Sequence, residues 1–535
     1  MKTRGMADVR RMVRAQTRWT IMLVLAMAVG AGSASIAAAA PFAYEEMTVR
    51  QLQAGYADET YTAEEVVEAY LARIAQYEPS YNAFTFMNED ALEEARAYDL
   101  LRESGETPGA LAGVPIVIKE AVDVAGFPTT FGWAPLSEEL GGISLMPERD
   151  APVVARLKAA GAIILGKTNI PAFSADGTRA SSSWDGDTYN AVDRSLAPGA
   201  SSSGTAMSVS GNFAMLGIAE ETGGSIQNPA AAQALVGIKP TFGLVPNAGV
   251  VPLAGSTRDV IGTHARTVYD AALMLDVIAG YSVEDAKTLA AIGNMPRGGY
   301  TSKLNKSELY GKRVGLYGPG WREQELTAET QELYDRAIRE LERQGATVVT
   351  DPFAGTGFAA FVEEAGSVGL ESMIYDMEQY LKRLGPSAAI GSVEELIEMT
   401  GETPSLFERY EESLKDPGAY PDLTNFTAVR TKYLAYIGDV MDKHRLDALV
   451  FPQMFKETPQ LDSEDRIGAT TVSEINIAGV PLVTVPAGYY ESGSPFALAF
   501  FGRMWSEAEL LGMAYDYEQA TKLRKAPVLV EVSGE

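Results

Sequence analysis

A stretch of small residues, 197–243, constrains this chain more than any other segment. It reads APGASSSGTAMSVSGNFAMLGIAEETGGSIQNPAAAQALVGIKPTFG, and serines stand between its glycines at Ser201, Ser202, Ser203 and Ser225. Small residues let the backbone approach a ligand closely, and glycines permit dihedrals that aim consecutive N–H groups at one point. A flexible linker is the alternative, but apolar runs interrupt the glycines and require burial. The stretch therefore predicts a buried functional loop system.

The serines indicate nucleophilic catalysis, and the composition limits which base can activate them. The chain has no cysteine and two histidines, His264 and His444, which excludes a thiol nucleophile and supplies a zinc site poorly. His264 is predicted at the start of a helix and His444 just before an apolar run, and neither lies in a glycine-marked loop. Both are interpreted as structural or surface histidines. The remaining base for a serine is a lysine made neutral by burial.

Lys119 is the candidate for that base. It lies near the end of LAGVPIVIKE, an apolar strand-like run at residues 111–120. A lysine in this place is either the first solvated residue beyond a strand or a buried one. The run by itself favours the solvated position.

Several segments, in order along the chain, resemble the motifs of the amidase signature family of Ser-Ser-Lys hydrolases. They are GVPIVIKE, LGKTNIPAF, GASSSGTA, EETGGSIQNPA and VGIKPTFGLVP, followed by DALVFP and AGVPLVTVPAG. Within the family, PFAYEEMTVRQLQ and MWSEAELLGMAYDYEQAT resemble bacterial peptide amidases, which remove the C-terminal amide of peptides. The resemblance runs from about residue 44 to the C-terminus. It implies an α/β fold with a large twisted mixed sheet covered by helices on both faces.

The resemblance also implies roles for individual residues. Lys119 matches the base, Ser201 the bridging serine whose peptide bond is cis, and Ser225 the nucleophile. The N–H groups of the oxyanion hole match Thr222, Gly223, Gly224 and Ser225. The implied mechanism is an acyl-enzyme reaction that needs no metal and no cofactor.

Substrate binding is less sharply predicted. The loop FSADGTR, residues 173–179, matches the segment that lines the acyl side of the cleft, so groups near Ser174 are candidates for binding substrate. A purely structural turn is an equal alternative. Trp184 and Tyr189 are candidates for a wall of the cleft, with surface packing as the alternative.

The nucleophile loop departs from the family pattern. The usual GTDTGGSIR reads AEETGGSIQ here, and the four changed positions are Ala219, Glu220, Glu221 and Gln227. Many members brace this loop with an Asp–Arg ion pair, whereas Glu221 and Gln227 are expected to share at best a hydrogen bond. We interpret these changes as a subgroup difference, because the three catalytic positions are intact.

Three further departures lie near the predicted base. Ala200 stands where glycine usually precedes the bridging serine, and Glu120 and Ala121 replace the usual Asp-Asn after the lysine. Glu120 is a candidate for holding Lys119 protonated, although adjacent strand residues point to opposite faces.

Residues 1–40 are predicted to be a Sec-type signal peptide. Arg10, Arg11, Arg14 and Arg18 precede an apolar core at 21–29, and SASIAAAA supplies small residues for cleavage. A retained signal anchor is the alternative, but the core is short for a span of about 20 residues. We expect export to a bacterial periplasm or beyond, where a chain without cysteine needs no disulfide.

The net charge of the chain limits its partners. It is −27, and removal of residues 1–40, which carry six basic residues and one acidic residue, leaves −32. Such a charge disfavours nucleic acid and anionic membrane surfaces. A small-molecule or short-peptide amide is the expected partner, and the oligomeric state stays open.

The remaining chain is predicted to form a single domain, 41–535. Thr62 and Glu65 form a capping box that opens a helix, and strands alternate with helices from residue 111 onward. Residues 357–445 are mainly helical and are expected to lie over the entrance of the site and to choose the substrate. In that region a stripe of apolar residues at helical spacing, predicted to be core rather than a cofactor site, consists of Met373, Met377, Leu381 and Leu384.

The sequence therefore predicts an exported amidohydrolase that cleaves linear carboxamides resembling the C-terminal amide of peptides. One alternative is an aryl or alkyl acylamidase that also cleaves esters or carbamates. Another is a non-catalytic exported binding protein on the same fold. The transamidating, tRNA-dependent members are disfavoured because their work is cytosolic and needs partner subunits.

Overall fold

The computed structural model describes residues 42–106 and 109–532, so the predicted signal peptide lies outside the described residues. Eleven strands in these ranges form one sheet in the spatial order β1-β3-β2-β4-β6-β5-β10-β11-β9-β7-β8. The strands are β1 Phe84–Met87, β2 Pro115–Lys119, β3 Ile163–Thr168, β4 Leu216–Glu221, β5 Val236–Lys239, β6 Val260–Ala265, β7 Arg313–Leu316, β8 Thr347–Val349, β9 Ala448–Pro452, β10 Leu482–Tyr489 and β11 Pro495–Phe501.

The sheet is mixed, as predicted. Strand β2 runs parallel to both β3 and β4, and β7 runs parallel to both β8 and β9. The other pairs are antiparallel. The carboxyl ends of parallel strands meet at one edge of a sheet, so Lys119 at the end of β2 lies beside Glu220 and Glu221 at the end of β4.

Helices connect and cover the strands. The described ranges contain α1 Val49–Ala57, α2 Ala63–Tyr81, α3 Ala91–Glu103, α4 Pro152–Ala159, α5 Ser203–Ser210, α6 Gln227–Ala232, α7 Val268–Ile278, α8 Ala328–Arg343, α9 Phe358–Ala365, α10 Met373–Arg383, α11 Val393–Thr400, α12 Glu411–Leu414, α13 Thr424–His444, α14 Val472–Ala478 and α15 Glu507–Thr521. The predicted capping box is confirmed: Thr62 accepts a hydrogen bond from the Glu65 N–H, and the Glu65 carboxylate accepts one from the Thr62 N–H.

Both faces of the sheet are buried. In β11, Phe496, Leu498 and Phe500 belong to one hydrophobic core, whereas Ala499 and Phe501 belong to another. Successive strand residues point to opposite faces. Helix α15 contributes to the first core and α13 to the second, so helices cover the sheet on both sides, as predicted.

A third core joins the helical region 357–445 to the loops near the start of the sheet. The predicted apolar stripe of α10 lies in it and is buried, so its interpretation as core is confirmed. The same core contains Phe131, Phe173 and Phe407, and the ring centroids of Phe173 and Phe407 are 5.8 Å apart. The helical region is therefore packed directly against the loop that carries Ser174.

His264 is placed differently from the prediction. It lies inside β6, where it pairs with Gly217 of β4 and Gly237 of β5, and not at the start of a helix. Helix α7 begins only after Thr267, whose side chain accepts a hydrogen bond from the Asp270 N–H. Because the helix is capped at Thr267, the residues before it stay in the extended strand. The prediction that His264 lies at the start of a helix was therefore wrong.

None of the helices within residues 42–106 and 109–532 combines the length and the apolar character that a membrane span requires.

Two leucines in helices provide a test of the third core. Leu381 of α10 is fully buried, whereas the side chain of Leu100 in α3 is 67% exposed. We expect Leu381→Ala to lower the free energy of unfolding by about 2–5 kcal/mol, and Leu100→Ala to change it by less than about 0.5 kcal/mol. Urea unfolding followed by tryptophan fluorescence measures both, and equal effects would contradict this account of the core.

Candidate active site

Lys119 is buried. The apolar run at residues 111–120 by itself favoured a solvated lysine, and that prediction was wrong. It is the last residue of β2, which lies between β3 and β4, and its side chain has no exposed surface. Its Nζ lies 2.7 Å from Ser201 Oγ, 3.0 Å from the carbonyl oxygen of Glu220 and 2.7 Å from Glu220 Oε2. The flanking parallel strands therefore bring the amine to a serine and to a carboxylate.

The backbone around Ser201 is held from both sides. The Ala200–Ser201 peptide bond is cis, as the resemblance implies. Gly199 has φ +71°, and a Cβ at this position would lie 2.5 Å from the Cα of Pro229. The N–H of Ala200 donates to the carbonyl of Gly177 at 3.2 Å. These contacts set the Ser201 hydroxyl against the lysine.

Ser225 lies in the turn between β4 and α6. Within the described part of the chain, its hydroxyl makes no hydrogen bond, and the N–H groups of residues 222–225 donate none. Gly224 has φ +100°, and a Cβ there would lie 2.9 Å from both Asn228 Nδ2 and Val472 Cγ2. The turn thus presents a nearly buried hydroxyl and several free donors, which is the arrangement an oxyanion hole requires.

The altered nucleophile loop is braced by hydrogen bonds instead of an ion pair. The carboxylate of Glu221 accepts the N–H of Ile226 at 2.8 Å, the N–H of Gln227 at 3.1 Å and Asn476 Nδ2 at 2.9 Å. It also accepts from Gln227 Nε2, which is the expected hydrogen bond between these two residues. Gln227 Oε1 in turn accepts from Thr471 Oγ1 at 2.9 Å. The changes at 221 and 227 therefore fit each other.

Glu120 does not reach Lys119. Its carboxylate accepts from the N–H and the hydroxyl of Thr130. The carboxylate beside the lysine belongs instead to Glu220, which the sequence marked only as a departure from the family pattern. The signal that would have found it is the parallel pairing of β2 with β4, because that pairing places residue 220 next to the end of β2.

Ser174 lies in a loop that contacts the segments of Ser201 and Ser225 through hydrogen bonds from Ala200 and Asn228 to Gly177. Its N–H donates within the turn to the carbonyl of Pro171 at 2.9 Å, and its buried hydroxyl has no partner among the described residues. Gly177 of the same loop accepts from Asn228 Nδ2 at 3.2 Å. The unused donor of Ser174 is thus its hydroxyl and not its N–H, and substrate binding there stays a prediction.

Trp184 and Tyr189 both have structural partners. Trp184 Nε1 donates to Thr130 Oγ1 at 2.9 Å, and the guanidinium of Arg194 lies 4.2 Å from the ring centroid of Tyr189. These contacts agree with the packing alternative, and a role in the cleft stays a prediction.

His264 has a structural role, as the sequence indicated. His264 is buried, and its Nε2 lies 2.9 Å from the carbonyl oxygen of Ile226, the residue that follows Ser225. Burial lowers the pKa of His264 to about 4. His444 is the last residue of α13, and its carbonyl accepts from Arg313 Nε at 3.0 Å. In the described ranges no group of three or more His, Asp or Glu side chains is placed to hold a metal ion.

Comparison with known proteins shows which family the chain belongs to. The sequence profile of the amidase family matches residues 65–511. The chain belongs to the amidase signature family. It is 32% identical to a glutamyl-tRNA(Gln) amidotransferase subunit from Alkaliphilus metalliredigens, over 89% of this chain and 96% of that protein. It is 31% identical to a probable amidase of Arabidopsis thaliana, over 95% of this chain and 97% of the relative.

The amidase fold is also found among solved structures. The native peptide amidase from Stenotrophomonas maltophilia matches with a TM-score of 0.78 and 32% identity, over 91% of this chain and 100% of that chain. Family and fold together make this protein an amide-hydrolysing enzyme, as the motifs predicted. The alternative of a non-catalytic binding protein loses its support.

The hydrogen bonds that Glu221 accepts in the nucleophile loop provide a test of the site. Glu221→Ala removes the buried acceptor of four donors, which are the backbone N–H groups of Ile226 and Gln227, Gln227 Nε2 and Asn476 Nδ2. Because an unsatisfied buried donor costs about 1–3 kcal/mol, we expect a loss of at least about 3 kcal/mol in the free energy of unfolding, measured with urea. Glu332→Ala, at an exposed position of α8, is the control and should change it by less than about 0.5 kcal/mol.

The burial of His264 leads to a second prediction. Its pKa of about 4 in the folded protein is lower than the value of about 6.5 in an unfolded chain. The unfolded state therefore binds more protons between these pH values, and this residue makes the fold less stable as the pH falls from about 6.5 to 4. In NMR of protein labelled at histidine Cε1, the signal that is lost in His264→Gln should stay that of a neutral ring down to about pH 5. A midpoint near pH 6.5 would contradict the burial argument.

Proposed function

We propose that this amidase works by a Ser-Ser-Lys acyl-enzyme mechanism with Ser225 as the nucleophile. The observation that carries the proposal is the contact of 2.7 Å between Lys119 Nζ and Ser201 Oγ at a buried site. The unused N–H groups of Thr222, Gly223, Gly224 and Ser225 support it.

In this mechanism Ser225 Oγ attacks the amide carbonyl. Its proton passes to Ser201 Oγ while the proton of Ser201 passes to Lys119 Nζ, which begins the reaction as a neutral amine. The N–H groups of residues 222–225 stabilise the oxyanion; one such donor is typically worth about 10²–10³ in rate. Ser201 then gives a proton to the leaving nitrogen and takes one back from Lys119. Water releases the acyl group by the same relay.

The substrate that we propose is a linear carboxamide like the C-terminal amide of a short peptide. Similarity to the Stenotrophomonas maltophilia peptide amidase over nearly the whole chain supports this class. Transamidation, the reaction of the tRNA-dependent relatives, is disfavoured by the net charge of −27, because the phosphates of tRNA are repelled by an acidic surface.

An aryl acylamidase activity is the second candidate, and an aromatic cluster favours it. The ring centroid of Phe173 lies 5.3 Å from that of Trp133, 5.5 Å from that of Phe131 and 5.8 Å from that of Phe407. Phe131, Phe173 and Phe407 are buried in the third core, so half-buried Trp133 is the ring of this cluster that is available to an aromatic group of the substrate.

For the exported enzyme we propose the periplasm or the exterior of a bacterial cell as its location, with residues 1–40 as the signal peptide. The acidic surface of the mature chain supports a protein that binds neither nucleic acid nor membrane.

Release of the leaving group tests the proposed function. Purified enzyme should release ammonia from C-terminally amidated dipeptides, measured by a coupled assay for ammonia. Ser225→Ala should lower this rate by at least about 10⁴-fold, since the residue that forms the acyl-enzyme is lost.

An anilide supplied in parallel separates the two candidates. Amine from the anilide without ammonia from the peptides would replace peptide amidase by aryl acylamidase. Full activity of Ser225→Ala would contradict the assignment of the nucleophile.

A further inference from the structure

Lys119 has a charged neighbour that the Ser-Ser-Lys mechanism does not use. Glu220 Oε2 lies 2.7 Å from its Nζ, and both side chains are buried. The family pattern has threonine at this position. Burying an ion pair costs desolvation energy that the attraction between the charges does not always offset. Packing alone therefore does not explain why a carboxylate stands here in place of a threonine.

A second carboxyl group is joined to the first by one hydroxyl. Thr222 Oγ1 lies 3.2 Å from Glu220 Oε1 and 2.6 Å from Asp259 Oδ1. The other oxygen of Asp259 accepts the N–H groups of Leu253 and Ala254, each at 2.9 Å. A hydroxyl carries one hydrogen, so Thr222 can donate to only one of the two carboxylates.

We propose that Glu220 is a positioning residue that holds Lys119 and stabilises its ammonium form whenever it takes the proton of Ser201, and that Asp259 adjusts this effect through Thr222. The inference rests on the proposed function, in which Lys119 is the base. No proton is lost in this step: the one that Lys119 receives returns through Ser201 to the leaving nitrogen. A carboxylate beside a general base stabilises the cation that forms there.

The protonation state of Asp259 changes near neutral pH. Burial first, and the negative charge of Glu220 second, raise its pKa to about 7. The other charged groups that face it are Asp376 of α10, which also raises this pKa, and the neighbouring Arg258. Below about pH 7, Asp259 donates its proton to Thr222, and Thr222 donates to Glu220. Above it, the Asp259 carboxylate takes the hydrogen of Thr222 and adds a second negative charge near the lysine.

Asp259 also has a route to solvent that avoids the nucleophile. It forms part of the wall of a cavity of about 610 Å³, together with Lys287 and Arg383. Among the described residues that line this cavity, neither Lys119 nor Ser225 is found. Asp259 therefore borders a cavity whose wall includes neither the proposed base nor the proposed nucleophile.

The test is the rate at which a fluorophosphonate modifies Ser225, followed by intact mass from pH 5 to 10. The reaction forms a Ser225 O–P bond and releases fluoride, and it depends on the relay without depending on the unidentified substrate. Glu220→Gln keeps the size of the side chain, and Glu220→Thr is the residue of the family pattern, so that one of them reports on the charge if the other fails to fold. Ser225→Ala is the control for specific labelling.

Replacing Glu220 removes the carboxylate that holds Lys119 Nζ and offsets the positive charge that the amine gains from Ser201. In both Glu220 variants we expect labelling at the pH optimum to be at least about 10-fold slower, with a pH profile that differs from that of the wild type. Asp259→Asn should remove the inflection near pH 7. Thermal melting of each variant separates these effects from unfolding.

Two results would overturn different claims. Glu220 variants that are labelled with the wild-type pH profile would refute the positioning role and leave the proposed function intact. A wild-type protein that the fluorophosphonate modifies at no pH would refute Ser225 as the nucleophile, and the inference with it.

Discussion

The burial of one amine, Lys119 Nζ, is the constraint on which the rest of the site depends. A lysine without exposed surface needs acceptors for its N–H groups, and the chain supplies a serine hydroxyl, a backbone carbonyl and a carboxylate. Each comes from a segment that must be held in place: Ser201 by the backbone on either side of a cis bond, and Glu220 by strand β4. The packing of these segments is therefore inseparable from the chemistry of the lysine.

The nucleophile loop also contains buried polar groups that the surrounding residues must hold in place. Its turn leaves several N–H groups without internal acceptors, which is costly unless the surrounding structure is rigid. Glu221 supplies that rigidity by accepting hydrogen bonds from Ile226, Gln227 and Asn476. A carboxylate with many donors replaces the ion pair of other amidases, so the loop keeps its shape although two of its bracing residues differ.

Much of this was predictable because local sequence carries it. The capping box at Thr62 and the apolar strand that ends at Lys119 are short-range patterns, and the structure confirms both. Two predictions from local sequence were wrong. Lys119 is buried because β3 and β4 flank its strand on both sides. His264 lies in a strand because the next helix begins only after its cap at Thr267. Asp259 was not singled out at all, since nothing near it in sequence marks it.

The sequence by itself determined the family, the mixed α/β fold and the residue types that stand at the positions of base, bridging serine and nucleophile. Only the tertiary structure decided which carboxylate meets the lysine. Glu120 is adjacent in the chain and turns to Thr130, whereas Glu220 is 101 positions away and touches the amine. The reason is physical: alternation along a strand sends neighbours to opposite faces, and the register of β2 against β4 brings distant residues together.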